Sequence, residues 1–170
     1  KSTPVTVGAG NTVIKPHSIY VAVVGGDDED VAKAILNYAG SGCDFNGNTD
    51  VTVYDDTYDN PKPSYQVSFM RPQDVQVHFK VIVGEGALIG YQDVVQTAII
   101  EVFRSSKKGR IGGDLYAMDY AAAVLAAIPD NRLLNIKIGL SATALGDSVS
   151  IGIDKTPILN KSNIQVVTDD

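Results

Sequence analysis

The sequence predicts an α+β fold with mixed strands and about three helices. Apolar and polar residues alternate over residues 75–83, as they do in a strand with one buried face. Apolar pairs recur every four residues between residues 90 and 103, as they do in an amphipathic helix. Hydrophobic residues make up 44% of the 170 residues and charged residues 20%, so we expect a packed core rather than a disordered chain.

The first predicted unit is a strand followed by a helix. Residues 19–24 form a continuous β-prone run that is typical of a buried strand, and Gly25 and Gly26 end it. Either Asp27 or Asp28 can cap the helix that follows, and further acids suit its positive end. Its predicted apolar face consists of Val31, Ala34, Ile35 and Tyr38.

A β-hairpin and one longer strand are predicted next. Residues 51–54 and 65–69 are β-prone runs, and the polar residues 55–64 between them form a long tip. Pro72 interrupts this pattern, and the alternating residues 75–83 then predict a single strand.

Two helices and three strands are predicted in the remaining chain. The first helix covers residues 90–103, and the second covers residues 116–127, with Asp114 as its N-cap. The strands are predicted near residues 134–138, 148–153 and 164–167.

The chain is expected to divide into a lead-in and two small subdomains. Residues 1–14 form the lead-in, and the absence of an initial methionine indicates an excised fragment or a processed chain. Residues 15–74 form the strand, helix and hairpin subdomain, and residues 75–170 form the second subdomain. The joint at Pro72 is short, so an internal corner of one domain is the alternative.

The charge balance argues against nucleic acid as a partner. Fourteen Lys and Arg residues against twenty Asp and Glu residues give a net charge of −6, and this field repels phosphate backbones. No apolar run approaches the length of about 20 residues that spans a bilayer. The single cysteine, Cys43, cannot form a disulfide within the chain.

Two loops have compositions that suit ligands, but each favours a simpler interpretation. Residues 25–26 lie where phosphate-binding loops lie, yet the four acids at residues 27–30 would repel a phosphate. Asp55, Asp56 and Asp59 offer oxygen atoms to a cation such as Ca²⁺, but no acid at the end of the loop completes a site. We therefore predict a capped helix, a solvated hairpin tip, no metal and no cofactor.

No catalytic residue is predicted. Cys43 would need His17 or His78 beside it to act as a nucleophile, and no local nucleophile motif surrounds it. Two acids that converge in space could still form a carboxylate pair, which the sequence leaves open.

The tip of the predicted hairpin is the best candidate for a protein interface. Tyrosine suits interfaces because one end is apolar and the other is polar. Tyr54 and Tyr65 can instead pack across the strands, whereas Tyr58 lies at the tip. The candidate interface residues are Tyr58, Asp59, Asn60 and Lys62.

Several short motifs follow one another in an order that resembles a known family. They are Pro-His-Ser at residues 16–18, the Gly-Gly-acidic helix start at residues 25–30, Gly-Asn-Thr at residues 47–49, Phe-Met-Arg-Pro at residues 69–72 and Gly-Leu-Ser-Ala-Thr at residues 139–143. Together they resemble the baseplate J-like proteins, which are wedge components of contractile phage tails and related injection machines. The hairpin tip is longer than the family's turn, and residues 109–113 match the family's link between helices only loosely.

The resemblance implies a structural role in a virion tail baseplate, of a phage or a prophage-derived device, without catalysis. Family members are usually longer, and the matching segment is their C-terminal part, so we expect a fragment that can be monomeric in isolation. Its implied partners are other wedge and hub proteins, and its implied locations are the virion and, during assembly, the bacterial host cytoplasm. A receptor- or cell-surface-binding module of a phage tail is the alternative function, and a hydrolase is a third.

Overall fold

The computed structural model describes residues 3–10, 12–40, 42–85, 90–105 and 109–169. It confirms the α+β class. The helices are α1 (Asp28–Tyr38), α2 (Tyr91–Ser105) and α3 (Ala121–Ala127), with 3-10 helices at Ala117–Tyr120 and Lys161–Asn163. The strands are β1 (Val5–Val7), β2 (Thr12–Ile14), β3 (Ser18–Tyr20), β4 (Asp44–Asn46), β5 (Thr49–Tyr54), β6 (Ser64–Phe69), β7 (Gln73–Gln76), β8 (His78–Val83), β9 (Asp114–Tyr116), β10 (Leu133–Ser141), β11 (Ala144–Gly146), β12 (Ser148–Ser150), β13 (Lys155–Ile158) and β14 (Ile164–Thr168).

A four-stranded sheet with the order β11-β10-β8-β14 forms the centre of the larger hydrophobic cluster. Strand β8 is antiparallel to β10 and parallel to β14. Phe79, Val81 and Val83 are buried on one face of β8, as the alternation predicted. The buried face packs with residues of α2 and α3.

The predicted single strand over residues 75–83 is wrong, because the chain changes partners at Val77. Strand β7 pairs in parallel with β13, whereas β8 pairs with β10 and β14. The N–H of Val77 donates to the carbonyl of Ile158 at 2.9 Å between the two strands. Burial alternates through the break, so the sequence pattern does not reveal it.

Helix α2 covers the last strand of this sheet. Val95 and Ile99 are fully buried, which confirms the predicted apolar stripe. Gln92 Nε2 and Gln96 Nε2 donate to main-chain carbonyls of β14 at 3.2 and 2.8 Å. These bonds occupy polar groups of an edge strand that would otherwise be free to pair with another chain.

Across the described ranges, no helix is both long and apolar enough to cross a membrane.

The second predicted helix starts later than expected. Asp114 lies in β9, which pairs with β12, and so it does not cap a helix. A 3-10 turn follows, and α3 begins only at Ala121, with no side chain bonded at its N-cap. The N–H of Ala117 donates to the carbonyl of Asp147 at 2.8 Å, so a tertiary contact fixes the entry to the helix.

The three predicted closing strands are present as β10, β12 and β14, with bounds that differ by a few residues. Strands β11 and β13 were not predicted. Strand β13 contains Pro157, a residue that disfavours central strands, and among the described residues it pairs only with β7.

Helix α1 and the β5–β6 hairpin form a second, smaller hydrophobic cluster. Its buried members are Ala32, Phe45, Val53, Val67 and Phe69. All of these precede residue 75, and all buried members of the larger cluster follow it. The division into subdomains of residues 15–74 and 75–170 stays a prediction.

The N-cap of α1 is confirmed. Of its predicted apolar face, Val31 and Ile35 pack on the smaller cluster, whereas Ala34 and Tyr38 are exposed. Asp27 Oδ1 accepts hydrogen bonds from the N–H groups of Glu29 and Asp30 at 2.9 and 3.4 Å. Ala32 is fully buried, whereas Tyr38, which we expected on the buried face, is 93% exposed. The small side chain of Ala32 allows the hairpin to approach the helix on that side.

The predicted buried strand over residues 19–24 is also wrong. Regular pairing is limited to β3 with β4, followed by an isolated bridge between Ala22 and Met70. The run is only partly buried at residues 19–23, and Val24 is 62% exposed. The run exchanges hydrogen bonds with two different segments, so it does not form one continuous strand.

Tyr120 is a buried side chain of the larger cluster whose hydroxyl has no hydrogen-bond partner among the described residues. Its ring packs edge to face on Phe79, with 4.8 Å between the ring centres. Burial, helped by the charge of Asp119, raises the pKa of Tyr120 to about 12. The hydroxyl is therefore desolvated without a compensating hydrogen bond.

We expect Tyr120→Phe to raise the free energy of unfolding by about 1 kcal/mol, because it removes an unpaired buried hydroxyl. Tyr20→Phe is the matched control, since the Tyr20 hydroxyl donates to the carbonyl of Ile153 at 3.0 Å. The control should lower the free energy of unfolding by about 1 kcal/mol. Urea unfolding of both variants measures the difference, and a loss of stability in Tyr120→Phe would contradict the prediction.

Candidate interface at the hairpin tip

The predicted hairpin is confirmed, and its strands present two different faces. The antiparallel register runs from Thr49 opposite Phe69 to Tyr54 opposite Ser64. Val53, Val67 and Phe69 point toward α1 and are buried. The tip over residues 55–63 extends beyond this packed part.

All four predicted interface residues lie together on the exposed tip. Tyr58, Asp59, Asn60 and Lys62 are exposed, and Tyr58 exposes 56% of its surface. Lys62 Nζ lies 2.7 Å from Asp56 Oδ1, which holds the two ends of the tip together. The geometry presents one aromatic ring among charged and amide groups. Their role in an interface stays a prediction.

The acids of the tip are engaged in local hydrogen bonds. Asp55 Oδ1 accepts from the Thr57 N–H at 3.0 Å and from the Thr57 hydroxyl at 2.6 Å. These two bonds hold the pKa of Asp55 below its ordinary value. The hydrogen bond and charge of Lys62 likewise lower the pKa of Asp56. Within the described ranges, no group of three or more His, Cys, Asp or Glu residues is arranged to hold a metal ion.

A groove of about 650 Å³ lies between α1 and the hairpin, beside the tip. Sequence reasoning missed this groove, because its two walls are distant in the chain. The tyrosines of the two strands do not face one another, since Tyr54 lies opposite Ser64 and Tyr65 lies opposite Val53. Both tyrosines are about half exposed and line the groove. The lining residues are Lys33, Leu36, Asn37, Val53, Tyr54, Asp55, Asp56, Thr57 and Tyr65.

Cys43 packs against the smaller hydrophobic cluster as a partly buried free thiol. The carbonyl of His17 accepts a hydrogen bond from the N–H of Asp44 at 3.1 Å, so His17 lies beside the segment that carries the thiol. His78 lies in β8, in the four-stranded sheet.

Arg71 joins three of the motifs that the sequence singled out. Its guanidinium donates to the carbonyls of Gly25 and Gly26 at 2.6 and 2.8 Å, and to the carbonyl of Val23 at 3.2 Å. Its Nε and Nη2 reach Asp28 Oδ1 at 3.0 and 2.6 Å. The glycine turn at residues 25–26, which we predicted to precede a capped helix rather than to bind phosphate, is therefore occupied by an internal cation.

The third motif binds the main chain of Arg71. Asn48 Oδ1 accepts from the Arg71 N–H at 2.8 Å, and Asn48 Nδ2 donates to the Arg71 carbonyl at 2.9 Å. A Cβ on Gly47 would lie 2.1 Å from main-chain atoms of Phe69, so only glycine fits there. The guanidinium also lies 4.9 Å from the centre of the Phe69 ring. We call these contacts of Arg71 with Val23, Gly25, Gly26, Asp28, Asn48 and Phe69 the Arg71 network.

Comparison with protein-family models and with curated proteins finds no match to this chain. The family resemblance therefore depends on the motifs themselves. What the geometry adds is a physical reason for three of them, because each supplies a group to the Arg71 network.

We expect Arg71→Lys to lower the free energy of unfolding by about 2 to 3 kcal/mol, because lysine cannot span the carbonyls and the carboxylate together. Asp28→Asn is the control, since it keeps an oxygen acceptor and removes only a half-exposed charge. Its cost should be about 1 kcal/mol or less. Chemical unfolding compares the two variants, and a loss in Arg71→Lys no larger than that in Asp28→Asn would contradict the prediction.

We expect Lys62→Gln to raise the pKa of Asp56 toward its ordinary value and to leave the pKa of Asp55 unchanged, because Thr57 is the main cause there. Since the folded pKa of Asp56 is depressed, its contribution to stability is present above the ordinary pKa and is lost as the pH falls through the folded value. Carboxyl-carbon NMR titration measures both groups. Lys15→Gln, which removes a partner of Asp44, is the control and should leave Asp56 unchanged.

Proposed function

We propose that this chain is a structural component of the baseplate wedge of a contractile phage tail or a prophage-derived injection device. The observation that carries the proposal is the Arg71 network. The Gly-Gly-acidic helix start, the Gly-Asn-Thr segment and the Phe-Met-Arg-Pro segment are separated by about twenty residues each in sequence, yet they meet at Arg71. Its guanidinium contacts the glycine turn and Phe69, and its main chain binds Asn48. Motifs that meet in space are better support for a family resemblance than scattered similarities in composition.

The exposed surface supports an assembly role. The tip carries Tyr58 among polar side chains, and the adjacent groove adds Tyr54 and Tyr65. Tyrosine-bearing surfaces of this kind suit contacts with other proteins. In the proposed role, the partners are other wedge and hub proteins, and the chain takes part in no catalytic step.

A receptor- or cell-surface-binding module is the second candidate. The same exposed tyrosines favour it, because aromatic side chains at a projecting tip can also bind a target surface. The two functions place the chain at different positions in the same particle, the baseplate or the tips of the fibres. Location in the particle therefore distinguishes them.

We expect gold-labelled antibody against this chain to bind the baseplate end of purified contractile particles from the source strain. Electron microscopy locates the label, and antibody that has been preabsorbed with the purified chain serves as the control. Label confined to fibre tips would favour the receptor-binding alternative. Absence of the protein from intact particles would overturn both candidates.

The same antibody measures how variants enter the particles. Tyr58→Ala should reduce the labelled fraction if the tip is an assembly contact, because it removes the aromatic group of that surface. Tyr116→Ala is a matched control, since Tyr116 is about equally exposed but lies in β9, away from the hairpin. Equal labelling of the two variants would exclude Tyr58 from the assembly contact.

A further inference from the structure

Strand β5 has one edge that is open among the described residues. It pairs with β6 only. The N–H of Asp55 donates to the carbonyl of Pro63 at 2.9 Å. The odd-numbered residues of β5 therefore direct their main-chain groups toward β6. In an antiparallel pair every second residue directs its main-chain N–H and C=O away from the partner strand. Asp50, Thr52 and Tyr54 are the residues whose main-chain groups point to the open edge.

This edge lacks the protection that the other sheet has. The edge strand β14 has two carbonyls occupied by Gln92 and Gln96 of α2. Helix α1, in contrast, packs on the face of the hairpin that carries Val53 and Val67. The open edge of β5 thus offers unpaired N–H and C=O groups, which are a template for another strand.

The side chains of this edge are complementary to themselves. When two β5 strands pair antiparallel with Thr52 at the two-fold axis, each Asp50 lies opposite Tyr54 of the other copy. Thr52 lies opposite its own counterpart, which is a favourable cross-strand pair. No two carboxylates are opposed in this register, and a tyrosine hydroxyl can donate to the facing carboxylate. The side chains of Asp50, Thr52 and Tyr54 are all exposed.

We propose that two copies of this chain associate edge to edge through β5, in antiparallel register about Thr52, to form a four-stranded sheet from two hairpins. The arrangement is isologous and closed, so it yields a dimer rather than a fibre. Because one short strand from each copy supplies the contact, the dimer forms at raised concentration and dissociates on dilution. The inference does not depend on the baseplate role, and failure of either leaves the other in place.

Proline substitution tests the edge selectively. Thr52→Pro removes an N–H that points to the open edge and leaves the ladder to β6 intact. Gln66→Pro is the matched control, because Gln66 is exposed directly opposite Thr52 and directs its N–H to the other edge of the hairpin. Sedimentation equilibrium of the 170-residue chain under reducing conditions measures self-association from micromolar to millimolar concentration.

We expect the unaltered chain and Gln66→Pro to dimerise alike, and Thr52→Pro to associate about tenfold more weakly or not at all. Thr52→Asp provides a second test without proline, since it opposes two carboxylates at the axis, and added salt should partly restore the dimer. Amide exchange of the hairpin verifies that each variant is folded. A chain that stays monomeric at every concentration, or a dimer that neither Thr52 variant weakens, overturns the proposal.

Discussion

The guanidinium of Arg71 is the group on which the smaller half of this structure depends. The turn between β3 and α1 leaves the carbonyls of Gly25 and Gly26 without helix or sheet partners, and both glycines adopt positive φ angles. Main-chain carbonyls in such a turn need donors, and a planar guanidinium offers five of them in a fixed arrangement. Arg71 fills this role while Phe69, two residues earlier, enters the core. The turn, the start of α1 and the end of β6 are thereby held together by one side chain.

The two hydrophobic clusters differ in how completely they cover their strands. In the larger cluster α2 and α3 pack against the inner face of the sheet, and glutamines of α2 occupy polar groups of β14. In the smaller cluster one helix packs on a two-stranded hairpin whose tip extends past it. A two-stranded hairpin has little stability of its own and depends on what packs against it. The smaller cluster therefore exposes the tyrosines, the groove and the open strand edge, which are the features available for contacts with other proteins.

The elements that the sequence predicted well are those whose signal is local. The cap of α1, for which the sequence offered Asp27 or Asp28, the stripe of α2 and the presence of the hairpin all follow from residue type and spacing within one segment. The failures share a different cause. Asp114 has the composition of a helix cap but lies in a strand because β12 pairs with it, and Tyr38 lies at helical spacing from apolar residues but faces away from the hairpin. In each case a partner far along the chain decided the outcome.

The sequence by itself determined the fold class, the presence of the three helices and the hairpin, the capped helix and the position of the polar tip that carries Tyr58, Asp59, Asn60 and Lys62. These depend on periodicity and side-chain chemistry, which act over a few neighbouring residues. Only the tertiary structure decided that three separate motifs meet at Arg71 and that the chain changes sheets at Val77. It also decided that, in the described part of the chain, one edge of β5 stays open while α2 binds two carbonyls of β14. Each of these is a choice of partner between segments that are distant in sequence. Such choices depend on which backbone polar groups remain unpaired after the local structure forms. Neither secondary-structure propensity nor the alternation of apolar and polar residues encodes that information.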